Sequence, residues 1–239
     1  MYLGYQASLV WLTAVRAVVT ARGPLPAALT VFVAPAFPVL ESASRILAGS
    51  GVVLGAQNCS TAAGALTGEV SAALLAEVGV ELVEIGHAER RRRFGETDAV
   101  VAAKTAAAVL AGLTPLLCVG EAVRGTPTAT ARFCYEQITA ALGGSVYLDS
   151  VMVAYEPVWA IGAAAPAEPD YVNDVVARLR ELLRPLASAG GPQIIYGGSA
   201  TVGLLPRLDA VDGLFLGRFA HDPAAFGRIL DEAILRVSR

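Results

Sequence analysis

Val151-Met152-Val153-Ala154-Tyr155-Glu156-Pro157-Val158-Trp159-Ala160-Ile161-Gly162 runs from an apolar segment into a carboxylate and then into a stiff Pro/Trp stretch ending in glycine. Val151–Tyr155 is short and uninterrupted, the pattern of a strand buried on both faces of a parallel sheet. Glu156 then stands at the C-terminal end of that strand among apolar neighbours. Burial there disfavours the charged form and raises a carboxyl pKa toward the range of a general base. Pro157 fixes its own φ and biases Glu156 away from helix, while Gly162 supplies a pliable position farther along. A segment stiff at one end and loose at the other suits a loop that closes over a ligand.

Outward from this stretch, short apolar runs alternate with helical patterns: Tyr2–Tyr5, Leu29–Val33, Val52–Ala56, Leu82–Ile85, Pro115–Val119, Val151–Tyr155, Gln193–Tyr196 and Gly213–Leu216. Helices start at signals such as Thr97-Asp98 and Glu168-Pro169-Asp170, and one runs from Leu9 to Ala21. The spacing, about thirty residues per unit, is that of a strand-helix repeat. No Pro/Ser-rich linker or charge shift divides the 239 residues, so residues 1–239 read as one α/β domain. Eight such units predict a closed (β/α)8 barrel, with a doubly wound open sheet as the alternative, and both place chemistry at the strand C-termini.

Composition narrows the function classes. Hydrophobic residues make up 55% of the chain and charged residues 16%, below the usual quarter or so. A net charge of -3 and a pI near 5.5 argue against nucleic-acid binding. Cys59, Cys118 and Cys134 are an odd set without CxxC spacing, which predicts reduced thiols in a cytoplasmic protein and neither disulfides nor a zinc site; no metal or cofactor is expected. Met1–Val15 lacks charge but also lacks a basic leader, and Arg16 and Arg22 interrupt before a spanning length, so no membrane segment is expected.

The strand ends give a constellation. Gly86-His87-Ala88-Glu89 follows one strand, Glu156 another, Gly197-Gly198-Ser199 a third and Gly217-Arg218 the last. His87 stands where a short helix begins, and the positive end of the helix dipole favours the neutral ring, able to polarise a carbonyl. His221, before Asp222-Pro223, reads as surface. Gly162, Gly197-Gly198 and Gly217 let backbone N–H groups approach a ligand, and Arg218 adds a charge-assisted contact: a phosphate cradle.

Gly55-Ala56-Gln57-Asn58, Gly64–Ser71, Gly86–Arg91, Cys118–Glu121, Tyr155–Gly162 and Tyr196–Ser199 together resemble the signatures of the triose-phosphate isomerase family, in order and at family spacing. The resemblance implies a (β/α)8 barrel that interconverts an aldose and a ketose phosphate through an enediolate, in glycolysis and gluconeogenesis. It implies Glu156 as the proton shuttle and His87 as the electrophile, with Gly162, Gly198, Ser199, Gly217 and Arg218 on the phosphate. It also implies a homodimer through the loop Asn58–Ser71, with Thr67 near its tip. Triose-phosphate isomerase is itself a standard illustration of acid-base tuning and loop closure, so these roles agree with the general rule and are not independent of it.

Three departures stand beside the matches. The family's strand-one Asn-x-Lys aligns with Gly4-Tyr5-Gln6-Ala7-Ser8, so Gln6 replaces the amide, Ser8 does not replace the ammonium, and Glu89 lacks the lysine it faces in the family. Loss of such a cation predicts weakened turnover. The lid Gly162-Ala163-Ala164-Ala165-Pro166-Ala167 lacks the family's Thr-Gly pair, and Arg218 stands where a second glycine is usual, facing either the phosphate or Asp222. Gly217-Arg218, Pro166-Ala167 and Asp170-Tyr171 resemble a branch that isomerises four-carbon ketose phosphates. The first expectation is the triose phosphate reaction; the alternatives are the four-carbon isomerase and a silent phosphate-binding relative.

Overall fold

The computed structural model describes residues 2–144, 146–163, 165–188 and 190–238. Ala164, in the middle of the expected lid, lies outside the described residues. The elements follow one another as α1 (Tyr5–Thr20), β1 (Val31–Val33), α2 (Leu40–Leu47), β2 (Val52–Ala56), α3 (Ala72–Glu77), β3 (Leu82–Ile85), α4 (Ala88–Phe94), α5 (Asp98–Leu110), β4 (Thr114–Val119), α6 (Pro127–Leu142), β5 (Met152–Tyr155), α7 (Pro169–Leu183), β6 (Ile194–Gly198), β7 (Gly213–Leu216) and α8 (Pro223–Val237). The seven strands pair in chain order and all in parallel. The sheet curls into the barrel of a (β/α)8 fold, with helices on its outer face.

Strand alternation sorts the core into two layers. Val83 and Ile85 of β3 face outward into the large cluster shared with the helices. Leu82, Leu116, Cys118, Met152, Ala154 and Ile195 face inward, with Phe32, Val53 and Phe215 packed against them. Helix starts follow local chemistry. The Thr97 hydroxyl accepts from Val100 N to cap α5, and Pro169 occupies the first turn of α7, both where the sequence signals stand.

The expected strand at Tyr2–Tyr5 is not formed. Gly4 caps α1, which starts at Tyr5, and the Ser8 hydroxyl donates to Gly4 O at 2.9 Å within the first turn. Ser8, Leu12, Val15 and Val19 are the buried residues of this helix, spaced to lie on one face. That helical stripe outweighs a four-residue apolar run. α1 packs against α2 and α8, over the gap between β1 and β7. Arg22 ties its end to α8 through Asp231 at 2.6 Å, and the Trp11 indole donates to Ala220 O at 2.8 Å.

Candidate active site

Glu156 follows β5 and is 6% exposed. Its Oε2 has no hydrogen-bond partner and lies 3.5 Å from His87 Nε2. Burial raises its pKa, with His87 and the Cys118 thiol acting in the opposite direction. The close fit on its other side requires glycine, since a Cβ on Gly197 would lie 2.5 Å from Glu156 Cγ. The carboxyl is thus buried, with His87 and the Cys118 thiol as its polar neighbours.

His87 is the N-cap of α4, and its Nδ1 accepts from Glu89 N at 3.3 Å. An accepting Nδ1 places the ring proton on Nε2, the nitrogen turned toward Glu156. Glu84 of β3 stands 4.0 Å from Nδ1 and is 9% exposed. Burial pushes its carboxyl up to about 7, with His87 lowering and Glu156 and Glu89 raising it. Sequence reasoning absorbs Glu84 into an apolar strand run; a carboxylate inside Leu82-Val83-Glu84-Ile85 is the signal that could have found it.

The loop after β5 is anchored at both ends. The Trp159 indole donates to Glu121 Oε1 at 2.7 Å, and the Tyr155 and Tyr171 hydroxyls donate to the same carboxylate. The Ser199 hydroxyl donates to Ala163 O at 2.8 Å, and Ala167 N donates to the Tyr196 hydroxyl at 3.1 Å. Gly162 holds φ at +74°, a conformation that favours glycine. Sequence reasoning misses Glu121, Tyr171 and Tyr196 as loop anchors, because their meeting depends on three separate strands and a helix.

A cavity of about 1150 Å³ opens at the strand C-termini and runs along the gap between β1 and β7. Glu156, His87, Glu89, Gly162, Gly198, Ser199, Gly217 and Arg218 all line it, so eight expected site residues meet at one mouth. Gln6 and Ser8 do not join them. Gln6 is exposed on α1, and Ser8 is buried on the α1 face that packs on the barrel, so Ser8 does not occupy the place of a substrate-facing cation. Arg218 makes no ion pair among the described residues. Its guanidinium lies 3.7 Å from where a Gly162 Cβ would stand, while Asp222 instead caps α8 by accepting from Ala224 N. His221, expected at the surface, is half-buried in the cavity wall beside Tyr2. Among the described residues no group of His, Cys, Asp and Glu is placed to hold a metal ion, and no helix is long and apolar enough to cross a membrane.

A buried acid facing an imidazole at the C-terminal mouth of a parallel barrel, under an anchored loop, is an arrangement able to move protons on a (β/α)8 scaffold. The family model for triosephosphate isomerase matches residues 1–233. The chain belongs to the triosephosphate isomerase family and is an isomerase. It is 50% identical over 240 residues to an L-erythrulose-1-phosphate isomerase from Pectobacterium atrosepticum, covering 98% of this chain and 92% of that protein. It is 38% identical over 213 residues to the triosephosphate isomerase of Aquifex aeolicus, covering 86% of each. The crystal structure of triosephosphate isomerase from Bartonella henselae matches with a TM-score of 0.84 at 30% identity, covering 99% of this chain and 96% of that one.

Proposed function

We propose that the protein isomerises a four-carbon ketose phosphate of the erythrulose 1-phosphate type, the reading that stands second to the triose reaction on motifs alone. Glu156 removes the proton from the hydroxyl-bearing carbon, giving an enediolate, and returns it to the neighbouring carbon. His87, with its proton on Nε2, polarises the carbonyl and moves a proton between the two oxygens. No redox partner is needed, because the carbonyl and hydroxyl exchange places within one molecule. The Glu156–His87 pair at 3.5 Å carries the reaction type. The 50% identical relative, matched over nearly the whole chain, turns the choice toward four carbons.

The phosphate is assigned to the side of the mouth built by Gly162, Gly198, Ser199, Gly217 and Arg218. Their place in the lining of one cavity and the Arg218 guanidinium, which makes no ion pair among the described residues, support this. Ser8 lies on α1 outside the cavity lining, so its position gives no support to its standing in for a lysine there. The loop Asn58–Ser71 supports a homodimer, since Ala62–Glu69 are all exposed around Thr67.

The test is an assay of purified protein on erythrulose 1-phosphate and glyceraldehyde 3-phosphate, beside Glu156→Gln. The wild type is expected to favour the four-carbon sugar, and Glu156→Gln to lose on the order of 100- to 10,000-fold in kcat. Equal rates for wild type and Glu156→Gln reject the reading.

A further inference from the structure

Glu84 is the inward-facing carboxylate that the proton-transfer scheme leaves unused. On β3 it shares a face with Leu82, which belongs to the inner apolar cluster, while Val83 and Ile85 point out toward the helices. It pairs in register with Leu116 of β4 and sits just below the mouth. Among the described residues it makes no hydrogen bond, although it is 9% exposed and lines the cavity with Glu156 and His87. An acceptor so placed is costly unless something satisfies it. His87 does not: its Nδ1 is 4.0 Å away and already accepts from Glu89 N, and an accepting nitrogen has no proton to offer Glu84.

The topology says which part of a ligand reaches this acceptor. The loops assigned to the phosphate follow β5, β6 and β7, and β3 lies on the other side of the curled sheet. A sugar phosphate anchored at Arg218 and lying across the mouth against Glu156 and His87 therefore turns its other end toward β3. We propose that Glu84 is a specificity-determining residue: its carboxyl accepts a hydrogen bond from the hydroxyl of the sugar chain remote from the phosphate. This rests on the four-carbon reading above and deepens it, because a terminal hydroxymethyl group is what a four-carbon substrate has beyond the reacting carbons. A triose phosphate has no such group.

The test compares kcat/KM on erythrulose 1-phosphate and on glyceraldehyde 3-phosphate for wild type, Glu84→Gln and Glu84→Leu. Assayed at pH 8, where the carboxyl is ionised, Glu84→Leu is expected to lower the four-carbon to three-carbon ratio on the order of 10- to 100-fold, the worth of a hydrogen bond to a charged group. Glu84→Gln, isosteric and still able to accept, is expected to lower it less and mainly through KM. It keeps the test decisive if Glu84→Leu does not fold. A ratio unchanged in the folded variants, or equal losses on both sugars, overturns the proposal while leaving the isomerase reading in place. A wild type that does not favour the four-carbon sugar overturns the four-carbon reading and this proposal with it, and leaves the isomerase class standing.

Discussion

Glu96 and Glu156 are buried almost equally, 8% and 6% exposed, yet their surroundings push them in opposite directions. Glu96 accepts from Lys104 Nζ at 2.5 Å and from Arg90 Nε, and Lys104 also donates to Asn58 Oδ1 at 2.7 Å. Burial tends to raise the Glu96 pKa, but these two cations outweigh it and hold the acid below its ordinary value. The network ties the foot of the projecting loop at Asn58 to α4, which carries His87, and to α5. Glu156 has no such cation and is raised by the same burial. A buried acid that is paired fastens elements together; one left unpaired at a cavity is held ready to take a proton.

The comparison breaks most visibly at Lys104. Lys104→Met strands the Glu96 carboxylate against Arg90 alone and is expected to cost about 3–5 kcal/mol, read from the shift in denaturant midpoint. Adding Glu96→Gln to that variant is expected to recover part of the loss. A stability unchanged by Lys104→Met would show the pair is not a fastener.

Arg218→Ala probes the opposite side of the mouth. It is expected to lower kcat/KM about 100-fold, largely through KM, with the melting temperature close to wild type. An unaltered KM would place the guanidinium away from the ligand.

The smallest effect concerns Glu84 and pH. Its folded pKa of about 7 lies above the ordinary 4.5, so the folded protein holds this proton more tightly than the unfolded chain. The stabilisation is fully present below about pH 4.5 and is lost as pH rises through 7. Glu84→Gln escapes that loss, so its stability relative to wild type is expected to rise by on the order of 1–3 kcal/mol between those limits. Denaturation curves at pH 4.5 and pH 8 measure it, and a parallel pH dependence would contradict the buried, unpaired acid.

What is legible in advance depends on how local the cause is. Glu156, Pro157 and Gly162 are close in the chain, and each acts on its own backbone, so the strand, its terminal acid and the hinge can be read together. Gln6 and Ser8 are misplaced when the first turn of α1 is matched as a strand end, whereas the stripe Ser8, Leu12, Val15 and Val19 makes it helix. Glu84 escapes notice because alternation tells inside from outside only once a sheet curls. Glu121 gathers Tyr155, Trp159 and Tyr171 from distant parts of the chain, and no spacing announces such a meeting.

The amino-acid sequence alone determined the repeating strand-helix order, the acid after β5, the imidazole at the start of α4 and the glycines that let loops come close. These follow from short-range preferences of each residue and its neighbours. Only the tertiary structure decided that Glu96 is paired and Glu156 is not, that Arg218 turns to the mouth and Asp222 to a helix cap, and that Glu84 faces the cavity. Charge environment and orientation are set by groups brought together across the barrel, and sequence separation carries no record of that proximity.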